Sequence, residues 1–213
     1  MSFQLPGFDL DRFVRDTLAE DLGEGGDITS EAVIPADARF AGLMHSREAV
    51  VVAGLPVAEA FFRALDPAVE IDTLAAEGEA AGAGAVLLRL SGRARALLTA
   101  ERSALNIVQH LSGIATLTRR YVEAIAGTGA ILLDTRKTLP GLRALEKYAT
   151  RMGGAENHRM GLWDAAMIKD NHVAVAGGVA EAAARAVAAG IARIVVEVDR
   201  LDQIEPALAA GAT

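Results

Sequence analysis

The chain has 213 residues, of which 52% are hydrophobic and 23% charged, with a net charge of −7 and no cysteine. That balance excludes a disordered chain, a disulfide framework or thiolate metal site, and the basic face that non-specific nucleic-acid binding needs. No apolar run approaches the ~18 residues of a membrane span, and the first residues, MSFQLPGFDLDRF, lack the basic and apolar regions of a signal peptide. The expectation is a cytoplasmic protein with no membrane or nucleic-acid partner.

In chain order, residues 8–22 place Phe8, Phe13, Val14, Leu18 and Leu22 at helical spacing, and the glycines from Gly23 to Gly26 end that helix. From about Arg39 to Leu90 short apolar runs are broken by glycine. FAGLMHS, AVVAGL, VEIDTL and AVLLRLSG read as strands of antiparallel character, with GLPVAEAFFRAL as a helix between them. Residues 94–125 form a long helical stretch with an expected interruption near Ser112–Gly113, and the domain boundary is placed there: 1–113 and 114–213.

Beyond Gly113 the pattern alternates. AILLDTRK reads as a strand, Pro140 opens a helix through Met152, and AAMIKDNH reads as a second strand. The helix VAEAAARAVAAG, a third strand RIVVEVD and the helix DQIEPALAAG follow. Repeated βα units with buried strands indicate a parallel sheet or barrel. The fold class is therefore α/β: an amino-terminal α+β sandwich followed by a parallel α/β barrel. A full barrel takes ~250 residues and only about a hundred follow Gly113, so the barrel is expected to be incomplete and the chain a fragment.

Chemistry is expected at the strand ends. The first strand ends in Asp134, Arg136 and Lys137, the second in Lys169, Asp170 and His172, and the third in Glu197 and Asp199. In a parallel barrel the carboxyl ends of the strands share the face where active sites are built. His158 and Arg159 precede the second strand. Lysine occurs only at Lys137, Lys147 and Lys169, arginine being the default cation. A lysine ammonium is a compact charge that arginine does not imitate, so lysines confined to one stretch are candidates for chemistry. A cationic cluster on an acidic protein selects small polyanions. The residues alone thus indicate an enzyme or binder for a phosphorylated or multi-carboxylate small molecule. His45 and His110 read as structural or surface residues, and Glu101–Arg102 as a solvated pair on a helix.

The run from Asp134 to Tyr148 (DTRKTLPGLRALEKY), the segments Asn157-His-Arg-Met-Gly-Leu and Ile168-Lys-Asp-Asn-His, and upstream AEDLG, GDITS, TAERSALN and LSGIAT together resemble quinolinate phosphoribosyltransferases. The similarity runs from about residue 8 to the last residue, and departs from the family pattern at Ala155, where a longer glycine run is expected. The resemblance implies a two-domain subunit that pairs into a homodimer. It also implies transfer of a phosphoribosyl group from phosphoribosyl pyrophosphate to quinolinate with decarboxylation, using Mg²⁺.

Residue by residue, Arg136, His158, Arg159 and Lys169 match positions around the quinolinate carboxylates. Arg102 matches an arginine that reaches into the neighbouring subunit's site. Lys137 matches a lysine on the phosphoribosyl donor, and Glu197 an acid near the ribose hydroxyls and the metal. Lys137, Lys169 and Glu197 are the expected catalytic set, Glu197 touching the metal only indirectly.

The resemblance also implies that a second acid and the glycine-rich phosphate loops lie on later strands, so little turnover is expected of these 213 residues alone. Two alternatives share the fold: a paralogue associated with molybdenum transport, and an inactive chain that only dimerises. A biotinyl- or lipoyl-type carrier, suggested by the segment GEAAGAG from Gly78, lacks its lysine, because residues 1–136 contain none.

Overall fold

The computed structural model describes residues 3–213, and the chain divides into two units, Met1–Asn157 and His158–Thr213. In the first unit α1 (Leu10–Leu22) begins at Asp9, whose carboxylate accepts the Arg12 N–H at 2.9 Å, and ends at Gly23 with φ 51°. It buries Val14 and Leu18, one turn apart. A short α2 (Ile28–Val33), not anticipated from the sequence, is capped by Asp27, which accepts the Ser30 N–H at 2.9 Å.

The expected strands are β1 (Arg39–His45), β2 (Val50–Val51), β3 (Glu70–Thr73) and β5 (Val86–Arg93), with a further two-residue β4 (Ala80–Ala81). They form two antiparallel sheets, β1-β5-β3 and β2-β4. The helix α3 (Leu55–Leu65) buries Leu55, Val57, Ala58, Phe61 and Phe62. Its amino terminus is held by Glu77, whose carboxylate accepts the N–H groups of Gly54 and Leu55 at 2.8 Å each and the Tyr148 hydroxyl at 2.5 Å. An anion at a helix amino terminus satisfies donors that have no intrahelical partner.

No interruption occurs at Ser112–Gly113. A single helix, α4 (Ala94–Ala124), runs for 31 residues, about 46 Å at 1.5 Å per residue. Gly113, where the sequence reading puts its boundary, lies inside it. The residues that look like a break hold the sheet instead. The Ser112 hydroxyl accepts the Ala53 N–H at 3.0 Å and donates to the Ala53 carbonyl at 3.2 Å, and Thr116 accepts the Val51 N–H at 2.8 Å. These hydroxyls satisfy backbone groups that a two-residue strand leaves open. The core between α1, α3, α4 and β5 is built on Leu18, Phe61, Leu88, Leu97, Ala104 and Leu111.

Two expectations after α4 are corrected. AILLDTRK does not form a ladder strand. It carries one parallel bridge, Leu133 to Glu156, with Asp134 N–H to the Glu156 carbonyl at 3.1 Å and Glu156 N–H to the Leu132 carbonyl at 2.9 Å. The paired segment is too short to extend the ladder, because Gly153 and Gly154 turn the chain just before it. Pro140 does not open the next helix either: α5 spans Arg143–Met152. Leu139–Leu142 is a turn closed by the Leu142 N–H on the Leu139 carbonyl at 3.1 Å, with Gly141 at φ 83°. Proline followed by a positive-φ glycine is the signature of a type II turn.

The second unit contains β6 (Ala166–Ile168), α6 (Asp170–Ala176), α7 (Val179–Ala188), β7 (Ile194–Val196), a 3-10 turn (Leu201–Gln203) and α8 (Ile204–Ala209). β6 and β7 pair in parallel, with Ile168 opposite Val196. Ile168, Ala182, Ala183 and Ile194 form its small core. Both units mix helix and strand, and no described helix is long and apolar enough to cross a membrane.

Candidate functional site

In the first unit the chain emerges from the Leu133 bridge into Asp134, Thr135, Arg136 and Lys137. Asp134 is an anchor for this segment. Its carboxylate pairs with Lys147 of α5, the two side chains being 5% and 1% exposed. It also accepts from the Asn157 amide at 2.7 Å and the Thr150 hydroxyl at 3.3 Å. Of the three lysines that stood out in the sequence, Lys147 is thus a buried structural counter-charge, and its ammonium faces Asp134 rather than solvent.

Two residues on, Arg136 is half-buried, and its Nε is enclosed without a hydrogen-bond partner among the described residues. A buried N–H left unpaired costs about 1–3 kcal/mol, and no acceptor for this donor lies among the described residues. Lys137 is exposed, its N–H bonded to the Thr135 hydroxyl at 3.1 Å.

Arg102 lies on α4, exposed, on a stripe with Asn106 and His110 four and eight residues later. The stripe borders a cavity of about 430 Å³ that Thr17, Glu20 and Asp21 of α1 also line. His110 does not merely stand on the surface: its Nε2 lies 2.9 Å from the Glu146 carboxylate. Nothing in the sequence links these residues, which are 36 positions apart.

In the second unit the register of the parallel pair sets the site. With Ile168 opposite Val196, the next residues, Lys169 and Glu197, emerge side by side at the carboxyl ends of their strands. The Glu197 N–H bonds the Ile168 carbonyl at 2.9 Å, and the Lys169 ammonium sits 3.1 Å from the Glu197 carboxylate. Asp170 and His172 are not part of the strand end. They belong to the first turn of α6, where His172 Nδ1 accepts the Lys169 N–H at 3.0 Å. Asp199 is exposed and its N–H is taken by Gln203 at 2.8 Å.

Arg159 is buried and donates to the Ala165 carbonyl at 3.0 Å, closing the loop before β6. His158 Nδ1 accepts the Arg159 N–H at 2.8 Å. Asp164 accepts the N–H groups of Met160 and Gly161 in the same loop. Burial, the largest single influence on Asp164, would raise its pKa, but those backbone donors and the Arg159 charge together hold it below the usual aspartate value.

The sequence-expected residues thus fall into two groups. The structure brings Arg136 and Lys137 onto one loop of the first unit, with Arg102 on α4. It brings Lys169 to Glu197 in the second, with His158 and Arg159 on the loop before β6. Among the described residues no three His, Asp or Glu side chains gather into a metal-binding cluster.

The chain matches the description "Quinolinate phosphoribosyl transferase, N-terminal domain" over residues 27–112 and "Quinolinate phosphoribosyl transferase, C-terminal domain" over residues 114–213. It is 48% identical over 203 residues to the nicotinate-nucleotide pyrophosphorylase (carboxylating) of Mycobacterium leprae, covering 92% of this chain and 70% of that one. It is 47% identical to a probable nicotinate-nucleotide pyrophosphorylase (carboxylating) of Synechocystis, covering 83% of this chain but only 59% of the relative's length. Among solved structures, the nicotinate-nucleotide pyrophosphorylase of Francisella tularensis aligns with a TM-score of 0.90 at 41% identity, over 95% of this chain and 72% of that one. NadC of Streptococcus pyogenes aligns with a TM-score of 0.92 at 40% identity, over 99% of this chain and 75% of that one. The chain, bearing both domain patterns in order, belongs to the quinolinate phosphoribosyl transferase family.

Proposed function

We propose that this chain takes part in phosphoribosyl transfer from phosphoribosyl pyrophosphate to quinolinate, with loss of CO₂ and formation of nicotinate mononucleotide and pyrophosphate. The observation that carries this reading is the enclosed, unpartnered Nε of Arg136 on a family-matching loop. A guanidinium with a spare donor suits a carboxylate, which it can grip through two N–H groups.

Quinolinate carries two carboxylates beside a ring nitrogen. Arg136, His158, Arg159 and Lys169 are assigned to those carboxylates, and Lys137 to the phosphoribosyl donor. The family also assigns Arg102 to the site of a partner copy in a homodimer. Its exposure on α4, and the exposed Phe40 and Leu43 of β1, support such pairing. The functional division 1–113 and 114–213, with the second part an α/β barrel built from βα units like β6–α7–β7, is part of the same proposal.

The chemistry suits these side chains. The ring nitrogen is already a nucleophile, so no general base is required. As the bond from the anomeric carbon to pyrophosphate breaks and the bond to nitrogen forms, positive charge builds on the sugar in the transition state and negative charge on the leaving group. Lys137 offsets the latter and Glu197 the former. The quaternised ring then releases its adjacent carboxylate as CO₂, and cationic side chains offset the charge on the carbanionic carbon until it takes a proton. Positioning carries much of the rate.

Mg²⁺ commonly binds through one or two carboxylates plus substrate phosphates. No acidic cluster that could cage the ion lies among the described residues, so the ion would be held mainly through the pyrophosphate, with Glu197 near it and touching it only indirectly. When bound, the ion supplies charge neutralisation on the pyrophosphate.

A calorimetric titration with quinolinate tests the reading, with nicotinate as the one-carboxylate control. Saturable binding of quinolinate, at least tenfold tighter than nicotinate and lost in Arg136→Ala, is expected. Equal affinity for the two acids would refute the assignment.

A further inference from the structure

The loop that carries Arg136 and Lys137 has little apolar burial to hold it. Leu139 is 53% exposed, Pro140 has no N–H to donate, and several of the loop's bonds are internal: Lys137 N–H to the Thr135 hydroxyl, Thr138 N–H to the Arg136 carbonyl, and Leu142 N–H to the Leu139 carbonyl. Ties to α5 come from Arg143, whose Nε donates to the Thr138 hydroxyl at 3.2 Å, and from Glu146, whose Oε2 accepts the Leu139 N–H at 3.2 Å.

The second tie does not stop at α5. The other oxygen of Glu146, Oε1, lies 2.9 Å from His110 Nε2 on α4. The Glu146 side chain is 10% exposed and that of His110 34%. One nearly buried carboxylate is therefore fixed at both oxygens, one toward the long helix and one toward the backbone of the loop.

We propose that His110 and Glu146 are positioning residues: a relay from α4 through Glu146 to the Leu139 amide that fixes the loop bearing Arg136 and Lys137. This rests on the reading of Arg136 as a carboxylate ligand given above. A carboxylate on α5 with one oxygen free could rotate and release the amide. With His110 donating to Oε1, Oε2 is held in the plane that meets the Leu139 N–H. Because the Arg136 Nε is already enclosed, a shift of its loop changes where the guanidinium can place its remaining donors. Misplacement of a binding group by about 1 Å is enough to cost on the order of 10²-fold in rate. His110 also stands on the same stripe of α4 as Arg102, two turns further along. One rigid helix thus supports one candidate substrate-binding arginine directly and a second through this relay.

The test compares the full chain with His110→Ala and His110→Gln. Glutamine keeps an N–H donor at a similar reach, so it should restore what alanine removes. The primary reading is amide hydrogen exchange in peptides spanning residues 135–142, with peptides of α3 and β5 as internal controls. For His110→Ala the expected result is exchange of the 135–142 peptides faster by about tenfold, with the controls unchanged. That corresponds to roughly 1.4 kcal/mol of local opening. His110→Gln should lie within about threefold of the parent, the size of a retained hydrogen bond.

The second reading is quinolinate affinity, expected to fall about tenfold in the alanine variant and recover in the glutamine one. Unchanged loop exchange in a folded His110→Ala protein would overturn the relay. So would a His110→Gln protein as impaired as the alanine variant. If the parent itself takes up no quinolinate, the substrate assignment fails, and the exchange comparison alone decides the relay.

Discussion

Asp134→Asn is the perturbation whose consequence is most fully determined by the structure. It is isosteric, so it opens no cavity, and it keeps an oxygen for Asn157 or Thr150. What it removes is the charge opposite Lys147, whose side chain is 1% exposed. Unit charges about 4 Å apart attract by ~4 kcal/mol at an effective dielectric of 20. Removing one partner of a buried pair typically costs ~3–5 kcal/mol, because the other charge stays desolvated. The two estimates agree on about 4 kcal/mol.

Urea unfolding followed by circular dichroism reads this as a drop in the midpoint with an unchanged slope. A thermal melt should fall by roughly 10 °C for a unit of this size. The double change Asp134→Leu with Lys147→Met should recover most of the loss, since apolar replacements of a buried pair are often neutral. A loss under 1 kcal/mol in Asp134→Asn would refute the reasoning, and would mean that Lys147 reaches water or another acceptor.

Other predictions follow from individual contacts. Gly153→Ala places a methyl 2.5 Å from the Thr118 Cβ and 2.6 Å from the Ala115 carbonyl, so it should cost about 1–3 kcal/mol by forcing α4 and α5 apart, visible as a lower melting temperature. Asp27 is held below its ordinary pKa chiefly by Ser30, through side chain and backbone, and then by Thr99. Asp66 is held low first by the Arg93 N–H. For both, the unfolded state binds protons more readily than the folded one, so their stabilisation is complete above about pH 4 and is lost as pH falls through the lower folded values. Urea titrations at pH 7, 4 and 3 should show this, and Asp27→Asn should flatten the decline. Glu197→Gln breaks an ion pair whose members are 42% and 56% exposed, so the melting temperature should stay within roughly 2 °C.

Much of the second unit was legible because its rules are local. Alternating apolar strands and alanine-rich helices state the βα order, and the strand ends name Lys169 and Glu197, which the register of β6 and β7 then makes neighbours. The long-range bonds were not legible. Ser112–Gly113 looks like a helix break, but the Ser112 hydroxyl satisfies Ala53 and that of Thr116 satisfies Val51, some sixty residues away. Lys147 shares its scarcity with Lys137 and Lys169, and only burial against Asp134 separates a structural ammonium from a chemical one. Pro140 favours a helix start and a type II turn equally until Gly141 takes a positive φ. Six-residue α2 is too short for periodicity to register, and Asp27, a favoured helix cap, is the one local signal of its start. His110 had no signal at all, because its partner Glu146 becomes adjacent only when α5 packs on α4.

The most direct test is a crystal structure of the chain with quinolinate bound. The account predicts a quinolinate carboxylate oxygen within about 3 Å of the Arg136 Nε, the donor that has no partner among the described residues. Quinolinate bound elsewhere, or an Arg136 Nε satisfied by the protein itself while quinolinate is held, would contradict it.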